Sequence, residues 1–334
     1  MAAKRITIVS PATSAHNNGN WQTASRWAAM LGTRHQVDIV QQWSDADGAP
    51  DLLIALHARR AAAPLAAFCS AYPSRPAALV LTGTDLYRDI AVDASAQASL
   101  AYATQLVLLQ PAGLALLPAP MRARARVIFQ SAPTLTRPPP MTGVASAPQI
   151  IMIGHLRAEK DPATFMAAAA LVKAPGVRLL HLGGALDAAL GQQAAATARA
   201  NPRYRWRGNL PHAQARELLR HSAAMVIAST MEGGANVIIE AVTCGVPVIA
   251  SDISGNRGML GDDYGAYFAA GDAVALAALI DRCLTDAPFY ARLLAQCAVR
   301  AALFTPAAEQ AALLQLVDNL CDPAQAPLQP QEAP

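Results

Sequence analysis

The sequence contains few lysines, glutamates and aromatic residues. Lysine occurs only at positions 4, 160 and 173, glutamate occurs at six positions, and aromatic residues make up 5% of the 334 residues. Charged residues amount to 15% and hydrophobic residues to 53%. A disordered chain has the opposite balance, so the composition excludes one. Because lysine and glutamate are scarce, each one that stands in a polar motif is informative.

Long hydrophobic runs are missing as well. No apolar run reaches the length of about 18 residues that crosses a bilayer. Near the N-terminus, Lys4 and Arg5 precede the apolar run 6–9, which is too short for the core of a signal peptide and predicts a first buried strand. We therefore predict a cytoplasmic protein without a membrane span.

Cysteine usage and net charge exclude further classes. The five cysteines lie far apart and form no CxxC pair, at positions 69, 244, 283, 297 and 321. We expect buried thiols, with neither zinc nor disulfides. A net charge of +3 is too small for a nucleic-acid partner. Arg122, Arg124 and Arg126 alternate as on the solvent face of a strand, and a basic binding patch there is the alternative.

Short apolar runs alternate with Ala-rich helical stretches in two series. The first series predicts strands at 5–10, 36–41, 51–56, 77–81, 106–110 and 126–129. The second predicts strands at 149–153, 177–182, 204–207, 224–227, 246–250 and 266–268. Continuous apolar strands separated by helix-length segments indicate parallel sheets covered on both faces. The predicted fold class is α/β, with two doubly wound, Rossmann-like domains.

A Pro-rich segment separates the two series. It spans residues 133–148 and shows no periodicity, so we interpret it as a linker between domains 1–132 and 149–304. A last amphipathic helix is expected at 305–321, and 322–334 is expected to be a disordered tail. Doubly wound domains place their ligand crevices at the carboxyl ends of the strands, and we expect the two crevices to face a central cleft.

The segment 229–252, STMEGGANVIIEAVTCGVPVIASD, is the most informative part of the chain. A strand end leads into a Gly-rich turn and then a helix near Asn236, whose free N–H groups favour a phosphate or diphosphate. Glu232 lies in the turn and Glu240 eight residues later, where both carboxylates can accept hydrogen bonds from sugar hydroxyls. Alternatively, Glu240 only interacts with the first helical turn and Glu232 is a solvated loop residue.

A second polar loop lies in the segment QIIMIGHLRAEKDP. The first strand of the second series runs into Gly154, which Arg157 and Lys160 follow before the next helix. Arginine binds phosphate oxygens in a fork and lysine acts as a point charge, so this loop can bind an anion. Alternatively, it is a surface loop in which Glu159 and Lys160 only cap the helix.

The pattern G-x-x-R-x-x-K and the pattern E-x7-E together resemble the GT-B retaining glycosyltransferases, in the glycogen synthase-like family 4 group that includes sucrose-phosphate synthases. The resemblance is strong over residues 149–260 and architectural elsewhere. It implies a hexosyltransferase that uses a UDP-sugar, with the acceptor bound by the N-terminal domain and the nucleotide sugar by the C-terminal domain. It also implies that the last helix crosses back onto the N-terminal domain. We identify no carboxylate triad and no metal-binding motif, so we expect no metal and no cofactor.

The resemblance also implies roles for single residues. Lys160 and a nearby arginine hold the diphosphate, Glu240 binds the ribose hydroxyls, and Glu232 with its glycine turn binds the transferred sugar. The family usually has arginine directly after the strand glycine, where this chain has His155, so we expect Arg157 to supply the cation. Catalytic roles fall to Glu232, Lys160 and Arg157. The expected donor site comprises Gly154, Arg157, Lys160, Gly183, Gly208, Glu232, Gly233, Gly234, Asn236, Val237 and Glu240.

Candidates for the acceptor site lie in loops that follow strands of the N-terminal domain. The loops HNNGNWQT and TGTDLYRD are both placed to bind an anion, although an ordinary turn with asparagine caps is the alternative for the first. A histidine ends the third strand, where relatives often carry a functional one, but a packed or capping histidine is the alternative. The candidates are Asn18, Gly19, Asn20, His57, Gly83, Thr84 and Asp85.

The short length and the segments VLTGTDLYRDI, GHLRAEKDP and MEGGANVIIEA resemble one branch of this family, the selenosugar synthases of selenoneine biosynthesis. This implies sugar transfer from UDP-GlcNAc or UDP-glucose to selenophosphate, with formation of a carbon–selenium bond. Selenophosphate is already anionic and its selenium is a strong nucleophile, so its attack needs no general base. The sequence shows no convincing Asp/His pair that could act as a general base. An enzyme that uses selenophosphate would not need one.

Other functions stay open at this point. A conventional retaining transferase to a hydroxyl acceptor would share every donor residue, and a UDP-sugar epimerase can use the same two-domain fold. A non-enzymatic nucleotide-sugar sensor is a further alternative. No G-x-G-x-x-G pattern opens a helix after the first strand, which disfavours a dinucleotide oxidoreductase.

Overall fold

The computed structural model describes residues 2–13, 19–137 and 147–322. The chain forms two compact units, one from Met1–Gln130 with Pro306–Pro334 and one from Ser131–Thr305. Each unit contains a six-stranded sheet in which every pair of neighbouring strands is parallel. The α/β class and the two Rossmann-like units predicted from the sequence are confirmed.

The sheet of the first unit has the strand order β2-β1-β3-β4-β5-β6. Its strands are β1 Arg5–Val9, β2 Gln36–Val40, β3 Leu52–Leu56, β4 Ala77–Leu81, β5 Gln105–Leu108 and β6 Ala125–Val127. Its helices are α1 Gly19–Leu31, α2 Ala62–Ala71, α3 Ile90–Val92, α4 Ala94–Tyr102, α5 Ala119–Arg122 and α13 Pro306–Cys321.

Residues of one strand alternate between two hydrophobic clusters in this unit. On β3, Leu53 and Ala55 belong to a cluster with Phe68, whereas Ile54 belongs to a cluster with Trp27. Side chains of consecutive strand residues point to opposite faces, so both faces of the sheet are covered. This is why the strands show continuous apolar sequence rather than alternation.

The last helix, α13, packs within the first unit. Its residues Leu316 and Val317 lie in the same cluster as Trp27. Glu309, which is 1% exposed, accepts hydrogen bonds from Arg26 Nε at 2.9 Å and from Trp27 Nε1 at 2.7 Å. The chain thus returns to the first unit after completing the second. An ion pair between the half-buried Arg26 and the buried Glu309 joins the N-terminal and C-terminal parts of the first unit.

The sheet of the second unit has the strand order β12-β11-β10-β7-β8-β9. Its strands are β7 Gln149–Ile153, β8 Arg178–Leu182, β9 Tyr204–Trp206, β10 Ala224–Ile227, β11 Val248–Ser251 and β12 Tyr267–Phe268. Its helices are α6 Pro162–Leu171, α7 Ala188–Ala200, α8 His212–Arg220, α9 Asn236–Thr243, α10 Ser254–Leu260, α11 Ala273–Thr285 and α12 Ala287–Ala301.

The segment predicted as a linker is only partly described. Its residues 138–146 and the predicted tail 323–334 lie outside the described residues. The start of the segment belongs to the second unit, where Arg137 donates hydrogen bonds to the Tyr290 hydroxyl at 2.9 Å and to the Ser222 carbonyl at 3.0 Å. The unit boundary at Gln130 therefore precedes the first prolines of this segment.

The structure also locates the cysteines and the alternating arginines. All five cysteines are unpaired; Cys244, Cys283 and Cys297 are buried, and the other two are half-buried. Arg122 and Arg124 donate hydrogen bonds to backbone carbonyls of their own unit, which gives them a structural role. Within the described ranges, no helix combines the length and apolar character that crossing a bilayer requires.

Candidate active site

The donor-site candidates follow neighbouring strands of the second sheet at their carboxyl ends. Strand β7 lies between β8 and β10, and the chain leaves it for β8 on one side and returns to β10 on the other. Open parallel sheets bind ligands at such a reversal of strand order. The loop after β7 carries Gly154, Arg157 and Lys160, and the loop after β10 carries Glu232, Gly233 and Gly234.

The loop after β7 presents one bonded and one unbonded cation. A short 3-10 helix spans Ala158–Lys160, and the stem of Lys160 packs beside Gly154, where an added Cβ would lie 3.7 Å from its Cδ. Arg157 is exposed and makes no side-chain hydrogen bond or ion pair with any of the residues described. The helix cap is Asp161, whose side chain accepts from Thr164 N, so the alternative that Glu159 and Lys160 serve as the caps is wrong.

Glu232 is buried and bound to Lys160. Its Oε1 accepts hydrogen bonds from Lys160 Nζ and, at 2.6 Å, from Ser229 Oγ. The residue is 8% exposed, which contradicts the alternative of a solvated loop residue. The sequence patterns of the two loops thus meet in one ion pair between adjacent strands.

Helix α9 begins at Asn236, as predicted, directly after the glycine turn. Asn236 and Val237 form its first turn, and both are half-buried. Glu240 lies on the same helix and is 9% exposed; its Oε1 bonds to His212 Nε2 at 2.7 Å. This bond raises the pKa of His212 above its usual value. Glu240 therefore lies one turn into α9 with a histidine as its hydrogen-bond partner.

The remaining donor candidates are glycines of the neighbouring loops. Gly183 follows β8 with φ 147°, and an added Cβ would lie 1.9 Å from the Gly154 carbonyl oxygen. Its N–H donates to the carbonyl of Gly208, which follows β9 with φ 64°. Only glycine fits both the conformation and the close approach at position 183. These two glycines shape the loop beside Gly154 rather than contribute a side chain.

His155 stands where the resemblance predicts an arginine. Its Nδ1 accepts a hydrogen bond from Gly184 N at 3.1 Å, which places the ring proton on Nε2 in the neutral form. Burial and the nearby cations Arg157 and Lys160 lower its pKa. His155 is therefore a neutral hydrogen-bond donor beside two cations, and it does not replace the missing positive charge.

In the first unit, four acceptor candidates meet at the ends of the adjacent strands β3 and β4. His57 Nε2 lies 3.1 Å from Thr84 Oγ1. The carboxylate of Asp85, which is fully buried, accepts from the backbone N–H groups of Ala58, Thr82 and Gly83. Asp85 thereby ties the two loops together. It opens a single π-helical turn, Asp85–Asp89, a geometry often found at functional sites.

His57 has an unusual backbone and a charged neighbourhood. Its φ of 78° lies in the left-handed region, which non-glycine residues seldom adopt and which often marks a functional site. Its ring nitrogens lie 4.0 Å from Asp85 and 4.0 Å from Asp89. Burial nevertheless lowers the pKa of His57, so the ring is neutral near pH 7. The sequence showed no Asp/His pair, and the structure brings two carboxylates to 4.0 Å from the ring, which is too far for a hydrogen bond.

The other acceptor candidates lie at the start of α1. Gly19 and Asn20 are its first residues, and the Gly19 carbonyl accepts from Thr23 Oγ1 at 2.8 Å. Asn18 lies outside the described residues. In the ranges the structure describes, no group of three or more His, Cys, Asp or Glu side chains is placed to hold a metal ion.

Sequence reasoning missed three residues of these sites. Ser229 and His212 each bond to one of the donor-site carboxylates, and Asp89 faces His57. His212 had a weak signal, because it follows Pro211 at a helix start after a strand. Ser229 and Asp89 belong to segments already singled out, but their partners lie in the tertiary structure.

The matched family model covers almost the whole second unit. Residues 144–297 match the family of glycosyl transferases group 1. These residues, just under half of the chain, are similar to a group 1 glycosyltransferase domain. The enzyme class predicted from the sequence, a glycosyltransferase, is thereby confirmed. No curated protein matches this chain in sequence.

Solved structures show the same fold over nearly the full length. One is Anabaena Alr3699/HepE in complex with UDP and glucose, with a TM-score of 0.74 and 17% identity over 95% of this chain and 100% of that one. Another is the sucrose-phosphate synthase of Thermosynechococcus elongatus, with a TM-score of 0.76 and 18% identity over 95% and 99%. At these identities the likeness establishes the GT-B fold of this glycosyltransferase.

Proposed function

We propose that this glycosyltransferase transfers a hexosyl group from UDP-GlcNAc or UDP-glucose to selenophosphate, and so acts as a selenosugar synthase in selenoneine biosynthesis. The proposed binding of a UDP-sugar rests on one observation. Lys160 and Glu232 form an ion pair at the ends of adjacent strands, within the residues that match the group 1 glycosyltransferase family. Structural neighbours crystallised with UDP and glucose or with UDP-glucose support the choice of a UDP-sugar.

The donor residues fit a nucleotide sugar by chemistry. Lys160 and the unbonded cation Arg157 attract the diphosphate, and the amide groups at the start of α9 add positive potential. Glu240 and Glu232 are acceptors for hydroxyl groups, as a ribose and a hexose require. In the proposed reaction, the bond between sugar C1 and the β-phosphate oxygen breaks while selenium forms a bond to C1. UDP leaves with the electron pair, and the cations stabilise its added charge.

The acceptor side is supported by resemblance and by the anionic character of selenophosphate. The described acceptor loops include Gly83 and Thr84, with Arg59 and Arg88 on the two sides of Asp89. Because selenophosphate needs no deprotonation, the reaction requires an anion site but no general base. The first product is a seleno-sugar phosphate, and water then splits its selenium–phosphorus bond to release phosphate.

A conventional transfer to a hydroxyl acceptor is the second candidate, and His57 favours it. Histidine is the side chain that most often acts as a general base, which an alcohol acceptor needs, and the ring nitrogens of His57 lie 4.0 Å from the carboxylates of Asp85 and Asp89. The two candidates share the donor site and differ only in the acceptor.

Mass spectrometry of the products separates the candidates. The full-length protein is incubated with UDP-GlcNAc or UDP-glucose and selenophosphate, and we expect UDP together with a sugar that shows the isotope pattern of selenium. Lys160→Ala should lower turnover by about 100-fold, because the leaving diphosphate loses a direct cation. Lys173→Ala, a change of another lysine in the same unit, serves as the matched control and should leave turnover unchanged.

Each other outcome has a distinct meaning. UDP release only with sugar alcohols would overturn the selenium acceptor and favour the second candidate. Conversion of the UDP-sugar without any acceptor would indicate an epimerase. If calorimetry detects no binding of UDP or UDP-sugar, the donor assignment itself is wrong.

A further inference from the structure

Lys160 and Glu232 form an ion pair with each other at the ends of adjacent strands. The Oε1 atom of Glu232 accepts hydrogen bonds from both Lys160 Nζ and Ser229 Oγ. The side chains of Lys160 and Glu232 are 19% and 9% exposed. A pair so far removed from solvent is screened much less than a surface pair, and its partners are costly to separate without a substitute.

The two loops that carry this pair are fixed to each other and to their surroundings. Thr230 N donates to the Glu159 carbonyl at 3.0 Å, one residue before Lys160. An added Cβ at Gly255 would lie 2.0 Å from the Glu232 carbonyl oxygen, so helix α10 packs directly on the turn. The Lys160–Glu232 pair is thus part of the built structure rather than a chance contact of two long side chains.

We propose that this ion pair competes with the nucleotide diphosphate for Lys160, so that Glu232 makes the site prefer a UDP-sugar over UDP. The inference rests on the proposed function, in which Lys160 binds the diphosphate. When a diphosphate binds, the Lys160 ammonium group must break its ion pair with Glu232 or divide its hydrogen bonds between the two anions. An ionised carboxylate only accepts hydrogen bonds, so it gains nothing from the anionic end of UDP.

A UDP-sugar differs in what it offers to Glu232. The hydroxyl groups of the hexose donate hydrogen bonds and replace the ammonium group that the carboxylate loses. After sugar transfer, UDP has no hexose hydroxyl groups to donate hydrogen bonds to Glu232. The ion pair between Glu232 and Lys160 then forms again as UDP dissociates. Glu232 therefore favours both the binding of the UDP-sugar and the release of UDP.

Glu232→Gln tests the competition, because it removes the charge and keeps the shape. Calorimetry on the full-length protein at fixed ionic strength measures the affinities for UDP, UDP-glucose and UDP-GlcNAc. We expect UDP to bind about 5- to 10-fold more tightly to the variant, which lies within the range of coupling between residues of one ion-pair network. Affinity for the UDP-sugars should rise less or fall, so that the preference over UDP shrinks by at least about fivefold.

Glu240→Gln is the matched control on the neighbouring helix. Its carboxylate pairs with His212 and not with Lys160, and the ribose it is proposed to bind is common to all three ligands. This variant should weaken UDP and the UDP-sugars by the same factor. Glu232→Ala repeats the test with a second variant, and thermal unfolding shows that each variant is folded.

The double variant with Lys160→Ala isolates the pair itself. Without Lys160, Glu232→Gln should no longer tighten UDP binding. Equal tightening in both backgrounds would show direct repulsion of the phosphates and would overturn the competition. Unchanged or weaker UDP binding by Glu232→Gln alone would overturn it too, while leaving the proposed function intact. Failure of the unaltered protein to bind any of the three ligands would overturn both.

Discussion

His181 is a fully buried histidine beneath the candidate donor site. Its Nδ1 lies 2.8 Å from the Tyr204 hydroxyl and its Nε2 lies 3.3 Å from the Gly154 carbonyl. Burial lowers its pKa from 6.5 to about 4. The ring therefore stays neutral in the folded protein at pH values where the unfolded chain would protonate it.

Because of His181, we expect the free energy of unfolding to decrease as the pH falls from about 6.5 to about 4. In this window the unfolded state binds a proton at position 181 that the folded state rejects, which costs up to about 3 kcal/mol. The variant His181→Asn should be less stable than the unaltered protein at pH 7.5. Its free energy of unfolding should decrease less when the pH is lowered. Thermal unfolding across the pH series measures the difference.

An exposed histidine provides the control for the packing effect of the substitution. His221 follows helix α8, and its side chain is 49% exposed beside Glu217. His221→Asn should reduce the stability at pH 7.5 much less than His181→Asn does, because the exposed ring fills no buried site. If His181→Asn retains the full slope of stability against pH, the neutral state of His181 is not its source.

At the scale of single residues, the sequence indicated the donor candidates but not their partners. Lys160, Glu232 and Glu240 stood out because the chain has so few lysines and glutamates and because their loops follow predicted strands. Their roles in binding stay predictions. The bonds of Glu232 to Lys160 and of Glu240 to His212 join residues 72 and 28 positions apart. No local pattern encodes such contacts, since they arise only when the strands assemble.

Gly183 is the element-scale feature with the clearest steric reason. It joins β8 to the following loop at φ 147°, and a Cβ added there would lie 1.9 Å from the Gly154 carbonyl oxygen. Gly176 also has a positive φ, of 68°, but nothing lies within 4 Å of an added Cβ there. The two positions therefore share backbone strain and differ in steric contact.

We expect Gly183→Ala to distort the loop after β7 and Gly176→Ala to leave it intact. Each substitution costs about 1–2 kcal/mol for the left-handed backbone conformation. Only Gly183→Ala adds a collision with Gly154, so it should be the less stable variant and should bind UDP at least about 10-fold more weakly. Thermal unfolding and calorimetry measure both effects; equal losses in the two variants would contradict the steric argument.

Most regular elements could be predicted, because buried parallel strands are continuous apolar runs and helices lie between them. The strand bounds agree with the structure to within about two residues. Helix α10, SGNRGML, was missed because two glycines and its shortness hide the helical pattern. The π-helical turn at Asp85–Asp89 was treated as loop, since its geometry depends on Asp85 binding three backbone amides.

At the scale of the whole chain, Glu309 joins the last helix to the first unit. It is buried and bonds to Arg26 and Trp27. Glu309→Ala leaves the Arg26 charge without its partner, so we expect a loss of about 3–5 kcal/mol in the free energy of unfolding. Chemical denaturation measures the change.

Glu217→Ala is the matched control for this loss. Glu217 also lies on a helix and pairs with an arginine, Arg220, but its side chain is 51% exposed. Exposed pairs contribute about 0–1 kcal/mol, so this variant should unfold almost like the unaltered protein. Similar losses for Glu217→Ala and Glu309→Ala would refute the stabilising role of the buried pair.

The return of the chain to the first unit sets an order of assembly during translation. Residues 131–305 form an uninterrupted unit, whereas the first unit needs helix α13, which emerges from the ribosome after them. Domains fold as units during synthesis, and a unit that lacks one helix exposes its hydrophobic cluster. Although its strands are made first, the N-terminal unit matures last, and the nascent chain carries an open patch around Trp27 until α13 arrives.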